Sequence, residues 1–294
     1  MTFHHRPNAL LVTIAAALVA VPVFASPVRA AQDNPVGAAQ KIDKGMQLLD
    51  EDEYVKAETS FREAIRLEPD NGEGQCDVGR ALYFQKKYAA SMPFFVQAIR
   101  LEPNKADYRA WLGWALYRQK RYAEAEVYYR DAIQLVPQIA EYQCCVGRAL
   151  DRQKKPADAE PFFREAVRLA PNNADYVNDL GCALYDQQKY ADAEPFYRFA
   201  VRLAPNYAMY RSNLGWVLTK LNRATEAEPY YWDAVRLAPT DARWAEDLAC
   251  VLYAKKQFAK ADYYYRKAVQ LEPGNANYRK ALAWVKAHEG SAHS

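Results

Sequence analysis

The chain has 294 residues, 51% hydrophobic and 13% aromatic with 22 tyrosines, a composition that predicts a folded, well-buried protein. Formal charge is only +3, and Arg6 and Arg29 fall in an N-terminal leader, so the remainder is close to neutral. That balance argues against a nucleic-acid partner, which needs clustered excess Lys and Arg, and the four histidines (His4, His5, His288, His293) lie at the two ends, which excludes a histidine-based triad or histidine-rich metal site in the body.

Residues 1–30 read as a secretory leader. An apolar run extends from Ala9 to Val21 behind Arg6 and is stopped by Pro22. It falls short of the ~20 residues that cross a bilayer, and small residues after it offer cleavage exits following Ala25 or Ala30. The first cysteine is Cys76, so neither exit carries a cysteine for lipid modification. The expectation is export to a periplasmic or extracellular location, with no membrane insertion after leader removal. Residues 31–37 are expected to form a short disordered arm.

From there an internal repeat governs the chain. Leu-x-Pro recurs as Leu67/Pro69, Leu101/Pro103, Leu135/Pro137, Leu169/Pro171, Leu203/Pro205, Leu237/Pro239 and Leu271/Pro273, always 34 residues apart. With each proline at position 32, the units are 38–71, 72–105, 106–139, 140–173, 174–207, 208–241 and 242–275. Position 8 is Gly45, Gly79, Gly113, Gly147, Gly181, Gly215 and then Ala249; position 24 is always aromatic, from Phe61 to Tyr265. Position 11 is always Leu and position 27 always Ala. Small residues facing large ones at helical spacing predict a two-helix hairpin with a filled interior. In the third unit, Ala106 to Lys120 is predicted as helix A and Tyr122 to Gln134 as helix B, ended by Pro137. Pro93, Pro161, Pro195 and Pro229, at position 22, are expected in the first turn of helix B. No alternating strand pattern appears, so the class is all-α.

These in-phase columns of Gly, Leu, Ala, Phe/Tyr, Ala and Pro resemble a tetratricopeptide repeat protein across residues 38–275. The resemblance implies a right-handed α-solenoid of seven 34-residue helix-turn-helix repeats plus a C-terminal capping helix. Residues 276–289, with Tyr278, Leu282 and Trp284, read as that cap, covering the last apolar face, and residues 290–294 as a tail. One column departs from the family. The aromatic expected at position 4 stands at position 3 instead, as Tyr108, Tyr142, Tyr176, Tyr210, Trp244 and Tyr278. That shift should alter how helix A meets the preceding repeat.

The resemblance further implies that helices A line a concave groove through positions 2, 5, 6, 9, 12 and 13. Those positions bring Arg80, Arg118, Arg148 and Arg152 together with Tyr83, Phe84, Trp114 and Tyr117, and Tyr185, Trp216 and Tyr253 extend the row. Arg and aromatic side chains dominate binding hot spots, and together they suit an extended, acidic peptide. The competing reading is that acids early in helix A (Glu73, Asp77, Asp107) and bases late in it (Lys120, Lys154) only complement the helix dipole. The Lys/Asn/Arg set of the family's carboxylate clamp does not occur in three consecutive repeats, so binding of chaperone tails is not supported.

Five cysteines, Cys76, Cys144, Cys145, Cys182 and Cys250, all fall on helices A, and an odd count leaves at least one unpaired. Axes of neighbouring helices ~8–10 Å apart are too distant for easy bridging, so small buried or groove-lining thiols are expected. No phosphate loop, nucleophile elbow or Cys-x-x-Cys is present. The sequence thus predicts a non-catalytic scaffold without cofactor or metal, binding a protein or peptide. The alternatives are a cysteine-based redox role and self-association through the helix B aromatics Tyr128, Tyr230, Trp232 and Tyr263.

Overall fold

A computed structural model describes residues 35–289, which form fifteen α-helices with no strand among them. The hairpins are α1 (Pro35–Asp50) with α2 (Tyr54–Leu67), α3 (Gly72–Phe84) with α4 (Tyr88–Leu101), α5 (Ala106–Arg118) with α6 (Tyr122–Leu135), and α7 (Ala140–Arg152) with α8 (Pro156–Leu169). They continue as α9 (Ala174–Asp186) with α10 (Tyr190–Leu203), α11 (Ala208–Lys220) with α12 (Ala224–Leu237), and α13 (Ala242–Ala254) with α14 (Phe258–Leu271). A final helix, α15 (Ala276–Glu289), packs on α14. Each helix packs on its sequence neighbours, and helices A also meet across successive repeats, giving an all-α solenoid. The leader and residues 31–34 lie outside the described residues, as does the tail. Residues 35–37, expected in the arm, are instead the first turn of α1.

Inside each hairpin the ring at position 24 lies directly over the glycine at position 8. A Cβ on Gly113 would sit 2.5 Å from Cε1 of Tyr129, and one on Gly79 would meet Phe95 at the same distance. The missing Cβ is therefore what lets the two helices approach. Leu112, Leu116 and Tyr129 are fully buried around that contact, and the same columns carry the core from repeat to repeat. In the last repeat Ala249 replaces the glycine, and Tyr265 is slightly less buried than Tyr129.

Helix A ends sooner than expected, at position 13, because position 15 enters the left-handed region. Asp52, Lys86, Lys120, Lys154, Gln188, Asn222 and Lys256 all have φ between 60° and 64°. In the second repeat the Lys87 N–H donates to the Leu82 carbonyl (2.9 Å) and the Lys86 N–H to the Tyr83 carbonyl (2.8 Å), a Schellman closure. Helix B in turn extends one residue beyond Gln134, to Leu135, before its proline.

The position-22 prolines are not in the first turn of helix B. Helix B begins at position 17, so Pro93, Pro161, Pro195 and Pro229 are each its sixth residue and remove one internal hydrogen bond. The carbonyls so released belong to Ala89, Ala157, Ala191 and Thr225, all exposed residues, where solvent is available as a substitute partner.

Two ladders join successive repeats. On the helix B side, Glu58 accepts from Arg62 Nε and from Gln85 Nε2 of the next repeat, both at 2.8 Å, while the Arg62 guanidinium lies 5.0 Å from the Phe94 ring centroid. Glu126, Arg130, Gln153 and Phe162 repeat the arrangement, as do Glu160, Arg164, Gln187 and Phe196. On the helix A side the shifted aromatics act. Tyr142 is buried and its hydroxyl donates to Asp107 one repeat back, and Tyr210 does the same to Asp175. At Tyr142 and Tyr210 the displaced ring thus ties helix A to the preceding repeat.

Candidate functional site

Helices A of the second to fourth repeats bring most of the expected groove residues together. Tyr83 meets the Tyr88 ring at 5.2 Å and the Trp111 ring at 5.5 Å, and Trp111 meets Trp114 edge-on at 4.6 Å. Trp114 Nε1 donates to Cys145 Sγ at 3.1 Å, which fixes the indole against α7. Tyr117 packs on Tyr122 at 5.1 Å. Trp111 is central to this cluster although it was not singled out from the sequence. Its position 6 belongs to the groove set, and that was the available signal.

The four arginines divide into two kinds. Arg80 Nη1 donates to Asp77 at 2.7 Å and stands 5.4 Å from the Trp111 ring, while Arg148 Nε donates to Asp179 at 2.7 Å. Both are therefore already neutralised by carboxylates of the protein itself. Burial alone would depress the Arg148 pKa, but the Asp179 charge beside it holds it above the ordinary range. Arg118 and Arg152 are exposed and held by neutral phenols: Arg118 Nε donates to Tyr88 Oη at 3.1 Å and Arg152 Nε to Tyr117 Oη at 3.3 Å. Their positive charge remains directed outward.

Among the described residues, three recesses between neighbouring helices A are lined by these side chains and their neighbours. The first, about 290 Å³, is bounded by Trp114, Tyr117, Arg148, Glu141, Cys145 and Tyr176. The second, about 380 Å³, holds Tyr185 and Trp216 beside Cys182, Asn213 and Asp186. There Asn213 Nδ2 donates to Asn178 Oδ1 at 2.8 Å, a polar rung between repeats. The third, about 230 Å³, lies between α3 and α5. Tyr253 stands apart from all three, its ring 4.4 Å from that of Trp284 on α15.

All five cysteines are free thiols. Burial pushes each pKa up, to about 11 at Cys145 and about 12 at Cys182, so these groups stay protonated and weakly nucleophilic at neutral pH. Among the described residues no group of three or more His, Cys, Asp or Glu is placed to hold a metal ion, and no helix is long and apolar enough to cross a membrane. Of the helix B aromatics, Tyr128 and Tyr230 are partly buried against neighbouring helices, with Arg198 donating to Tyr230 at 3.3 Å. Tyr263 and Trp232 are the exposed members.

Comparison with known proteins agrees with this architecture. Models described as tetratricopeptide repeat match residues 106–139, 128–174, 178–242 and 246–275. No curated protein matches in sequence. Among solved structures, a tetratricopeptide repeat protein from Parabacteroides merdae superposes with a TM-score of 0.66 at 14% identity, over 85% of this chain and 99% of that one. The pilF protein of Pseudomonas aeruginosa gives 0.64 at 21% identity, over 72% of this chain and 96% of that one. YrrB, described as a repeat protein with an unusual peptide-binding site, gives 0.56 at 19% identity, over 67% and 97%. At these identities the likeness is one of fold.

Proposed function

The chain belongs to the tetratricopeptide repeat family, whose members are generally non-catalytic scaffolds for protein–protein interaction, and from that premise we propose that it is an exported scaffold whose concave groove holds an extended segment of a partner protein in the cell envelope. The observation that carries the reading is the run Tyr83, Trp111, Trp114 and Tyr117, a row of partly exposed rings bordered by the outward charges of Arg118 and Arg152. Rings supply contact area at low entropic cost, and forked guanidinium donors match carboxylates. An acidic residue of the segment would lie against Arg118 and Arg152, with the Tyr185/Trp216 recess receiving a further side chain. Export rests on the leader at residues 1–30.

Capture from envelope extract with the wild type and an Arg118→Glu/Arg152→Glu variant tests this. Both arginines are exposed, so the variant keeps the fold. A partner bound by the wild type and lost with the variant supports the groove. A partner retained equally moves the interface elsewhere and sinks the proposal. Concentration-dependent sedimentation without any captured partner would favour self-association in its place.

A further inference from the structure

We infer that the open side of α15 receives the first repeat of a second copy of this chain, so that solenoids associate end to end. No helix among the described residues follows α15, and Arg279, Lys280, Trp284 and Lys286 on it are all exposed. Trp284 shows what the missing neighbour does elsewhere. It stands at position 9 of its unit, where Trp114 and Trp216 are half-buried, and Trp114 donates to Cys145 on the next helix A. The Trp284 ring has Tyr253 on one side at 4.4 Å and is 51% exposed, because no described helix A lies beyond it. A stacked repeat would cover that ring, as each inner repeat covers the one before it.

Charge identifies the occupant. The first repeat, 38–71, holds nine acidic and five basic residues, a net of −4. The seventh repeat with α15, 242–289, holds nine basic and five acidic residues, a net of +4. None of the five repeats between them departs from neutrality by more than two charges. Unlike ends of two copies therefore attract, while like ends repel.

The match also holds in position. Helices A all run the same way, so turns from A to B lie along one edge of the solenoid and turns from B to A along the other. On the first edge the leading repeat exposes the four consecutive acids from Asp50 to Glu53, and the trailing end exposes Lys256 and Lys286. On the second edge Asp70 is exposed at the leading end, and Arg279 and Lys280 at the trailing end. A second copy that continues the solenoid sets acid against base on both edges. Such a contact is heterologous and leaves a free end on each side, so it propagates into an open chain of copies. The rings from Tyr83 to Tyr117 lie in the second and third repeats, inside both ends, and stay accessible. The inference thus stands apart from the groove reading.

Sedimentation equilibrium of the purified protein tests it, with Asp50→Lys/Asp70→Lys for the leading end and Lys280→Glu/Lys286→Glu for the trailing end. All four side chains are exposed, so both variants keep the fold, and unchanged melting temperatures check this. At about 50 mM salt the wild-type mass should climb with concentration beyond that of a dimer, and about 0.5 M salt should return it toward the monomer. Each variant alone should associate about tenfold more weakly or worse. An equimolar mixture of the two should recover assembly, because the reversed end of one meets the reversed end of the other. A wild type that stays monomeric throughout overturns the inference, and so does a mass that stops at the dimer, the mark of a closed two-fold contact. Variants that associate like the wild type place the contact elsewhere and overturn it, as does a mixture that recovers nothing. None of these results bears on the groove, which Arg118→Glu/Arg152→Glu tests separately.

Discussion

Arg148 Nε lies 2.7 Å from Asp179 Oδ2, so the guanidinium on helix A of the fourth repeat is bound to a carboxylate of the next repeat. Cys144 Sγ donates to the same Asp179 oxygen at 3.4 Å. Arg148 is thus part of the joint between the fourth and fifth repeats. Replacing it with Met leaves the mostly buried Asp179 without its cation. Because Arg148 is itself 43% exposed, the expected cost is about 1–2 kcal/mol, below that of a fully buried pair. Urea unfolding of Arg148→Met, Asp179→Asn and the double variant should give a coupling near 1 kcal/mol. Strict additivity would show that the pair contributes nothing.

Arg118 and Arg152 should behave in the opposite way. Arg118→Glu/Arg152→Glu is expected to leave the melting temperature nearly unchanged, since both side chains are exposed and bound only by phenols. Affinity for an acidic groove peptide should fall about tenfold or more. A loss of stability comparable to that of Arg148→Met would contradict the assignment.

Glu160 joins the fourth and fifth repeats on the opposite face. It accepts from Arg164 at 2.7 Å, Gln187 at 2.9 Å and Lys189 at 3.0 Å. Burial pushes its carboxyl up, but these donors outweigh it and hold the pKa at about 2. A depressed carboxylate pKa stabilises the fold above the unfolded value near 4.5, and that contribution is lost as pH falls toward 2. Glu160→Gln should therefore cost about 1–3 kcal/mol at pH 7, with the difference from the wild type shrinking through that acid window. A difference independent of pH would show that the charge is not what matters.

Lys120 holds a left-handed φ of 63° at the turn between α5 and α6. Glycine adopts that conformation without the Cβ penalty, so Lys120→Gly should stabilise the protein by about 0.5–1 kcal/mol, read as a raised melting temperature. The same change at Asn222 should gain less, because asparagine tolerates this region better than lysine.

Gly113→Ala should do the reverse. Its Cβ would sit 2.5 Å from Tyr129 Cε1 in a fully buried contact, and overpacking of this kind costs about 1–3 kcal/mol. Thermal unfolding of Gly113→Ala against an exposed helix A substitution such as Glu141→Ala separates the clash from general tolerance.

The sequence alone determined the repeat, its length and its register, because these depend on local chemistry. A proline every 34 residues ends each helix B, and a glycine opposite a ring sets each hairpin, wherever the unit stands in the chain. It also marked the shifted aromatic, although only the structure gave Tyr142 and Tyr210 their partners one repeat back. The start of helix B at position 17 was legible, as Tyr122 in the third repeat, yet counted from it each position-22 proline is the sixth residue and stands in the second turn, not the first. The end of helix A was not legible, because the left-handed residue that closes it is not a glycine. The character of the helix A face was decided by tertiary structure. Arg80, Arg118, Arg148 and Arg152 look alike in sequence. Arg80 finds its partner on its own helix, Asp77 three residues earlier, but for the others the packing of neighbouring repeats decides what comes within reach: Asp179 for Arg148, and only the hydroxyls of Tyr88 and Tyr117 for Arg118 and Arg152.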